Sequence, residues 1–270
     1  MFRTRLISGI VLVALALLLI ITGGKVLLAS TFVLSIIGSF ELYRALGMEK
    51  TILAISGYLM TIFYYLNIEF SFVKNPVLYT IIFLIVVLGI YVFAYPRYNT
   101  LKTLATFFGF FYVSVMLSFI YLTREIPTQG KYLVWLIFLC AWGSDTCAYC
   151  VGRLFGKHKM APVLSPKKSI EGAVGGVVGA AFLIMLYSFV LKDQMNLNTT
   201  GILALGVIGA IGALVSMVGD LAASAIKRDN DIKDYGKLIP GHGGVLDRFD
   251  SIIITAPIVF FLATYFVNNF

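Results

Sequence analysis

Long apolar segments alternate with short polar loops along nearly the whole chain. Nine of these segments are long enough to cross about 30 Å of hydrocarbon as helices, although the third is the weakest candidate. They cover residues 6–23, 25–46, 52–68, 77–95, 101–122, 131–155, 170–191, 201–226 and 251–268. The first one begins like a secretory signal, but no A-x-A cleavage site follows it. The pattern predicts an all-α, polytopic integral membrane protein.

The loops differ in positive charge, and this difference predicts an orientation. With a cytoplasmic N-terminus, sixteen of the 21 Lys and Arg residues fall on the cytoplasmic side, Arg3 and Arg5 among them. The five on the other side are Lys25, Lys74, Arg124, Lys131 and Lys192. Because cytoplasmic loops carry the excess of Lys and Arg, we predict the N-terminus inside and the C-terminus outside. The two most basic loops, 156–169 and 227–250, then share the cytoplasmic face.

The composition agrees with a membrane protein and narrows its partners. Apolar residues make up 60% of the chain and charged residues 13%, whereas about a quarter of the residues in soluble domains are charged. The net charge of +8 lies in short loops, where we expect it to meet anionic lipids and substrates rather than nucleic acid. Cys140, Cys147 and Cys150 crowd one apolar segment with no second pair for zinc, which favours a packing role.

Two acidic residues lie deep in apolar segments, where a charge is costly and is usually functional. Asp145 is one. Asp220 is the other, and Ser216 and Ser224 lie on the same helix face at i, i+4 and i+8 spacing. The alternative for both carboxylates is a hydrogen-bonded latch between helices. Glu41 lies near a helix end, three residues before Arg44, so a local ion pair is expected there rather than catalysis.

The loop 156–169 ends in Ser165-Pro-Lys-Lys-Ser169, immediately before an apolar segment. Hydroxyl groups, two lysines and the N–H groups of a helix N-terminus together favour binding of a phosphate. The alternative is a solvated loop whose cations serve topology alone. The sequence has no G-x-x-x-x-G-K-[ST] pattern, so this is not a Walker loop.

The stretch Ser224–Asp250 contains five Asp among Lys, Arg and one His, between two apolar segments. Carboxylates that can hold a divalent cation thus lie among cations that can hold phosphate, which indicates nucleotide or phosphoryl transfer. His242 lies in a Pro-Gly-His-Gly-Gly turn, where orienting a phosphate or the loop is the alternative to proton transfer. Asp247 and Asp250 precede an apolar segment, where an N-cap explains one carboxylate and a metal ligand explains the other.

The loop 227–250 starts and ends on one membrane face, so Asp220 and Asp247 are predicted to converge despite their separation in sequence. Mg²⁺ usually takes one or two protein carboxylates together with substrate phosphates and waters. We therefore predict a Mg²⁺ site at Asp220 and Asp247, with Asp145 or Asp250 as a third or outer ligand and a second cation nearby. Phosphate is predicted to bind Lys167, Lys168 and Arg248.

Residues 1–125 and 131–270 differ in character. The first part is rich in Leu, Ile, Phe and Tyr, as expected of scaffold helices. The second is predicted to be the catalytic transmembrane domain with the loops 156–169 and 227–250. Its small residues recur at a spacing that allows close helix packing, and such helices also suggest a homodimer. These residues are Gly172, Gly175, Gly176, Gly179, Ala180, Gly206, Gly209 and Gly212.

The 27 residues from Ser224 to Asp250 resemble the signature of the phosphatidate cytidylyltransferases, also called CDP-diacylglycerol synthases. The resemblance rests on Ser224, Lys227-Arg228, Lys233-Asp234, Gly236, Pro240, His242-Gly-Gly, Asp247-Arg248 and Asp250. Upstream it includes Asp145, Tyr149, Gly152-Arg153, Phe155-Gly156, Ser165-Pro-Lys-Lys-Ser169 and Glu171-Gly172. It covers residues 140–250 well, whereas the N-terminal half is similar only in being hydrophobic.

The resemblance implies a Mg²⁺-dependent membrane enzyme of phospholipid biosynthesis that makes CDP-diacylglycerol and pyrophosphate from CTP and phosphatidic acid. It implies a bacterial inner membrane with the active site facing the cytoplasm. Catalytic roles are implied for Asp220, Asp247, Lys167 and Arg248. The implied substrate-binding residues are Arg153, Ser165, Lys168, Ser169, Ser224, Lys227, Arg228, Lys233, Asp234, His242, Gly243 and Gly244.

Two other functions compete with this one. A CTP-dependent lipid kinase of the polyprenol type would use similar residues but would transfer the γ-phosphoryl group. A transporter would explain the buried Asp residues and the small-residue helices. It would not explain why so many phosphate-binding residue types lie on one face of the membrane.

Overall fold

The structure, a computed structural model, describes residues 2–269 and the side chains of residues 7–75 and 77–269. Arg3 and Arg5, which belong to the predicted cytoplasmic charge, lie outside the described side chains. In chain order the helices are α1 (Phe2–Thr22), α2 (Gly24–Ala45), α3 (Ile52–Phe70), α4 (Pro76–Phe93), α5 (Thr100–Gly109), α6 (Met116–Arg124), α7 (Gly130–Phe138), α8 (Ser144–Phe155), α9 (Ile170–Val190), α10 (Thr199–Asp229) and α11 (Leu246–Asn269). Two π-helical segments, Phe110–Val115 and Leu139–Gly143, join α5 to α6 and α7 to α8.

Seven helical stretches of the described chain are long and apolar enough to cross a membrane, which confirms the all-α, polytopic membrane class. They are Gly24–Ala45, Ile52–Phe70, Thr100–Arg124, Gly130–Phe155, Ile170–Val190, Thr199–Asp229 and Leu246–Asn269. The segment considered weakest from sequence, the third, is among them. Ile7–Thr22 and Val77–Phe93 are apolar but shorter helices, so the count of nine spans and the orientation stay predictions.

The basic loop 156–169 contains the one β-sheet found in the described residues. Strands β1 (Lys159–Ala161) and β2 (Ser165–Ser169) pair antiparallel, with Lys159 opposite Ser169. Thus Ser165-Pro-Lys-Lys-Ser169 is a short strand that runs directly into α9. A strand brings this segment to the helix N-terminus with a fixed backbone, which the sequence pattern did not predict.

The helices that flank the charged stretch are longer than the apolar pattern predicts. Helix α10 continues through Lys227 and Arg228 to Asp229, and α11 begins at Leu246. The non-helical part of the predicted loop 227–250 is therefore shorter, residues 230–245. Cations in the last turn of a helix and an acid in the first turn complement the helix dipole, so polar residues continue both helices beyond their apolar parts.

The chain forms two compact units. The N-terminal unit comprises residues up to Ser118 together with Asn230–Arg248, and the C-terminal unit comprises Phe119–Asp229 and the remainder of α11 from Phe249. The loop 230–245 thus packs with the N-terminal helices, although the sequence grouped it with the catalytic part. These two packed units do not test the predicted division into scaffold helices and a catalytic domain, which stays a prediction.

Glycines in the C-terminal unit let α8, α9 and α10 approach closely. A Cβ at Gly176 would lie 2.9 Å from the Ser144 hydroxyl, and one at Gly209 would lie 2.9 Å from the Ile184 side chain. Gly179 and Gly212 leave equally little room beside Cys147 and Cys140. The predicted close packing by small residues is confirmed, and the contacts that it serves lie within one chain.

In the N-terminal unit, α2 is fixed by buried polar contacts. The Tyr43 hydroxyl donates to the carbonyl of Thr106 at 2.8 Å, and Ser39 and Ser114 share a hydrogen bond of 3.3 Å. Tyr43 and Ser39 are fully buried. This packing holds the C-terminal end of α2, which carries Glu41 and Arg44, in a defined position.

Candidate functional site

Asp247 organises the loop 230–245 from the first turn of α11. Its Oδ2 atom accepts hydrogen bonds from the backbone amides of Tyr235 at 2.8 Å, Gly244 at 2.9 Å and Gly236 at 3.4 Å. The side chain is only 5% exposed. Hydrogen bonds from several amides to one carboxylate hold the backbone around it in place. Asp247 therefore joins the middle of the loop to its C-terminal end, whatever else it binds.

Glu41 supports the same loop from α2. One carboxylate oxygen accepts from the Val245 amide at 3.1 Å and the other from the Leu246 amide at 2.9 Å. These amides open α11, and they have no partner within that helix. The carboxylate is buried and fills the space beside Gly236 and Gly244, where a Cβ atom would collide with it. Glu41 is thus a cap contributed by a distant helix.

The local ion pair expected between Glu41 and Arg44 is absent from the described residues. Glu41 points into the loop, and Arg44 instead donates from Nη2 to the Tyr235 carbonyl at 2.6 Å. The Arg44 guanidinium lies 5.4 Å from the centre of the Phe40 ring. The expectation was wrong because the Glu41 carboxylate turns toward the amides at the start of α11, which have no partner within that helix.

The glycine-rich turn has a tight, hydrogen-bonded backbone. The amide of Ile239 donates to the Gly243 carbonyl at 2.8 Å, and the amides of His242 and Gly243 donate back to the Ile239 carbonyl at 2.9 and 3.1 Å. Gly241 and Gly243 have φ angles of 77° and 90°, which side chains other than glycine rarely adopt. The glycines thus allow the turn that presents His242.

Ser8 on α1 holds His242 from outside the motif. Its hydroxyl donates to the Pro240 carbonyl at 3.0 Å and lies 2.8 Å from His242 Nδ1. Because the serine proton is used by Pro240, the imidazole proton must lie on Nδ1 for the second hydrogen bond to form. No local pattern in the sequence indicates this contact.

A cleft of about 500 Å³ lies against this turn. Its charged and titratable lining residues are Lys233, Asp234, Lys237, His242 and Arg248. Of the predicted site residues, Lys233, Asp234, His242, Gly243 and Arg248 therefore lie together. We call this space the glycine-turn cleft. Cations and polar backbone around such a space suit a phosphate-bearing ligand.

In the C-terminal unit, Lys168 forms an ion pair with Asp220. The two side chains are 25% and 26% exposed, and the ammonium nitrogen itself is enclosed. Lys167, by contrast, is exposed. This ion pair joins Lys168, which was predicted to bind phosphate, to Asp220, which was predicted to bind the metal ion. Within the same unit, Gly219 brings α10 close to the backbone of Asp250 in α11.

Ser169 caps helix α9 and is enclosed by glycines. Its hydroxyl accepts from the Gly172 amide at 3.2 Å. Cβ atoms at Gly152 and Gly156 would lie 3.0 and 2.7 Å from that hydroxyl. Ser169 is buried, so its resolved role is that of an N-cap. It positions the end of β2, and hence Lys168, at the start of α9.

Glu171 ties the other end of the basic loop to the same helix. It accepts from the Lys157 amide at 3.1 Å and from His158 Nδ1 at 2.6 Å. The loop 156–169 is thus a hairpin whose start is bound by Glu171 and whose end is capped by Ser169. It is more than a solvated run of charged residues.

Asp145 lies on the surface of the C-terminal unit. It is exposed in the first turn of α8, and Tyr149 and Arg153 follow it at helical spacing. The Arg153 guanidinium donates to the Tyr149 hydroxyl at 3.4 Å. The three residues form one polar stripe on α8.

The remaining predicted residues occupy the ends of these elements. Ser224 and Lys227 are half-buried and Arg228 is exposed in the last turns of α10, and Ser165 is half-buried in β2. Gly244 is buried beside Glu41. Asp250 is half-buried, and its Oδ1 accepts from the Ser251 amide at 2.8 Å. Ser216, on the predicted stripe with Asp220, is fully buried.

The described residues contain no group of three or more His, Cys, Asp or Glu side chains that could hold a metal ion unaided. Mg²⁺ usually takes one or two protein carboxylates and completes its shell with substrate phosphates and water. The convergence of Asp220 with Asp247 stays a prediction.

Comparison with known proteins gives the family. Residues 3–266, nearly the whole chain, match a family model described as the cytidylyltransferase family. The chain belongs to the cytidylyltransferase family. The resemblance seen in Ser224–Asp250 is thus confirmed by a match that also includes the N-terminal helices.

Relatives with curated names are similar over nearly all of the chain or over about half of it. A phosphatidate cytidylyltransferase of Staphylococcus haemolyticus (strain JCSC1435) is 31% identical over 261 residues, which cover 95% of this chain and 97% of the relative. One from Bacillus subtilis (strain 168) is 29% identical over 98% of both chains. One from Haemophilus influenzae is 42% identical over 142 residues, which cover 52% of this chain and 48% of the relative.

Proposed function

We propose that this chain is a phosphatidate cytidylyltransferase, which makes CDP-diacylglycerol and pyrophosphate from CTP and phosphatidic acid. The observation that carries the proposal is the similarity over 95% of the chain to a protein of that name. The geometry supports the same class of chemistry, because cations surround an open cleft on a loop fixed by buried carboxylates. Geometry alone indicates phosphate and does not distinguish cytidine from other bases.

The proposed reaction is a displacement at phosphorus. A phosphate oxygen of phosphatidic acid forms a bond to the α-phosphorus of CTP, and the bond from that phosphorus to the oxygen that bridges to the β-phosphorus breaks. Pyrophosphate leaves with the electron pair. The attacking phosphate is already ionised, so no strong general base is needed. Such transfer depends on positioning and on neutralising charge.

This chain's residues supply positioning and positive charge. Lys233, Lys237 and Arg248 line the glycine-turn cleft and are proposed to hold phosphate oxygens. Lys168 and Lys167 are proposed to add charge from the end of β2. His242, whose Nδ1 is hydrogen-bonded to Ser8, is proposed to orient the turn and not to transfer a proton from that nitrogen to substrate.

Mg²⁺ is the proposed cofactor, and it would supply neutralisation of the triphosphate and of departing pyrophosphate. Asp220 and Asp247 are the proposed protein ligands. In support, Asp220 already pairs with a cation, the Lys168 ammonium, and Asp247 is held in place by hydrogen bonds from three amides. Asp145 and Asp250 are kept as outer ligands, and a second cation is part of the proposal.

We propose the cytoplasmic membrane of a bacterium as the location, with the site facing the cytoplasm. The membrane-spanning helices and bacterial relatives support this proposal. CTP, a lipid substrate and the bilayer are the proposed partners. The glycines that suggested a homodimer pack against helices of the same chain, so they give no reason to propose one.

The deciding assay uses the purified chain in detergent with CTP and phosphatidic acid. CTP labelled on the α-phosphate should give labelled lipid only when phosphatidic acid is present, with one pyrophosphate released per lipid. Label transferred from the γ-phosphate instead would indicate the lipid kinase. Absence of both products with a folded protein would contradict the proposal and favour the transporter.

A further inference from the structure

A second cationic cleft lies beside the glycine-turn cleft. It has a volume of about 540 Å³, and its charged lining residues are Arg44, Lys233, Lys237 and Asp234. We call it the Arg44 cleft. Lys233, Asp234, Gly236 and Lys237 line both spaces, so residues 233–237 form a ridge between them.

The cations of this cleft form no ion pair among the described residues. Among the described side chains, no carboxylate lies within the 4.0 Å ion-pair distance of Arg44, Lys233 or Lys237. Asp234 lines the same space but does not pair with them. Three cations and one carboxylate leave the cleft with a net positive charge of two, and their mutual repulsion is relieved by a bound anion.

Arg44 is preorganised for such an anion. One of its N–H groups is anchored to the Tyr235 carbonyl at 2.6 Å, and its guanidinium stacks over Phe40. Glu41, the nearest acid in sequence, is fully used by the amides of Val245 and Leu246. A guanidinium carries five donors in a fixed plane, so several remain to bind phosphate oxygens.

The position of Arg44 favours a lipid phosphate. Arg44 lies in the last turn of α2, one of the helices able to cross a membrane. The end of such a helix lies near the membrane surface, where lipid headgroups lie. Ala45 and Ile232 add apolar walls to the cleft.

We propose that the Arg44 cleft binds the phosphate of an anionic lipid, which under the proposed function is phosphatidic acid. The ridge 233–237 then separates a lipid phosphate in this cleft from a second anion in the glycine-turn cleft, with Lys233 and Lys237 shared. The identity of the lipid rests on the proposed function, whereas the anion site itself does not.

The test is the pair of Michaelis constants of Arg44→Gln in mixed micelles. Gln removes the charge but can still donate to the Tyr235 carbonyl. We expect the KM for phosphatidic acid to rise about tenfold, the effect of one lost charge-assisted contact, and the KM for CTP to stay within twofold. Arg44→Lys should restore part of the loss. Lys50→Gln, an exposed cation after the same helix, should change neither constant.

Binding without turnover separates this proposal from the proposed function. Dioctanoyl phosphatidic acid should raise the Tm of the purified wild-type chain more than that of Arg44→Gln, with dioctanoyl phosphatidylcholine, CTP and inorganic phosphate as comparison ligands. An effect of Arg44→Gln confined to CTP or inorganic phosphate would overturn the lipid assignment. No effect on any ligand would overturn the site. A wild-type chain that makes no CDP-diacylglycerol would contradict the proposed function. The Tm measurements would still decide whether the Arg44 cleft binds a lipid phosphate.

Discussion

Glu41 and Leu246 lie 205 positions apart, yet the Glu41 carboxylate accepts a hydrogen bond of 2.9 Å from the Leu246 amide. The contact joins a helix of the N-terminal half to the first turn of the helix that carries Asp247. The N-terminal helices are therefore more than hydrophobic filling. They determine the backbone of the motif by which the family is identified.

Glu41→Gln should damage both stability and activity. Both carboxylate oxygens accept backbone N–H groups, and Gln must turn its NH₂ group toward one of these donors. An unsatisfied buried donor of this kind costs about 2 kcal/mol, so we expect a lower Tm and a reduced kcat. Glu49→Gln, a less buried acid beyond the end of α2, is the control. Equal Tm and activity in the two variants would show that the cap is unimportant.

The sequence predicts the membrane helices because a run of apolar residues long enough to span lipid leaves little choice of structure. It misplaces the ends of α10 and α11, because polar residues that cap or complement a helix look like loop residues. Glu41 was misjudged for a related reason. Its spacing from Arg44 indicated a local pair, while its partners come from far along the chain. The one signal available was a lone acid inside an apolar segment.

The candidate site is likewise predicted only in part from the sequence. The residue types of Ser224–Asp250 predict phosphate chemistry, since no other role explains such a mixture between apolar helices. They do not predict that Ser8 binds His242 or that Lys168 pairs with Asp220. Those contacts depend on how distant elements pack, and no local pattern records them.

Ser8→Ala should loosen the glycine-rich turn. It removes the bonds to Pro240 and His242, so the amides of His242 and Gly243 should exchange with deuterium faster than in wild type. Mass spectrometry of peptides that cover residues 239–244 measures this. Ser30→Ala, whose hydroxyl bonds to Val26 in its own helix, should leave that exchange unchanged. An unaltered rate in Ser8→Ala would mean that the turn is held without it.

Lys167 and Lys168 should behave differently although they are adjacent. Lys167 is exposed, so Lys167→Ala should raise KM or lower kcat without changing Tm. Lys168→Ala should also lower Tm, because it leaves the partly buried Asp220 without its partner. The Tm losses of Lys168→Ala and Asp220→Asn should therefore not add in the double variant. Additive losses of Tm would argue against coupling between Lys168 and Asp220. Lys159→Ala, which removes another exposed cation, is the control for loss of positive charge.

The orientation can be tested by cysteine labelling. In a background without Cys140, Cys147 and Cys150, single cysteines at Lys159 and Asp231 should react with an impermeant maleimide from the same side of sealed vesicles. Both positions are exposed, and both basic loops are predicted to be cytoplasmic. A cysteine at Asp193, exposed between α9 and α10, should react from the opposite side. Reaction of Lys159 and Asp231 positions from opposite sides would end the topology model.

Asp220→Asn and Asp247→Asn should each lose at least about a hundredfold in rate, since one electrostatic contact to developing charge is commonly worth that much. Asn keeps the size of the side chain and removes its charge. Asp220 is 26% exposed and pairs with Lys168, so its variant should show only the limited fall in Tm expected for Lys168→Ala. Asn at 247 can still offer one oxygen to the amides of Tyr235, Gly236 and Gly244, so we expect only a modest fall in Tm there.

The alternative to a metal role predicts the reverse pattern. If Asp247 served only to hold the loop, its Asn variant would lose stability while the folded enzyme kept its turnover. If Asp220 served only as the partner of Lys168, its Asn variant would behave in the same way. Asp193 is an exposed acid outside the loops 156–169 and 227–250. The variant Asp193→Asn is therefore the control for loss of a carboxylate. Near-normal rates in both site variants at saturating Mg²⁺ would show the metal assignment to be wrong, because a carboxylate that holds the Mg²⁺ cannot be replaced by an amide without cost.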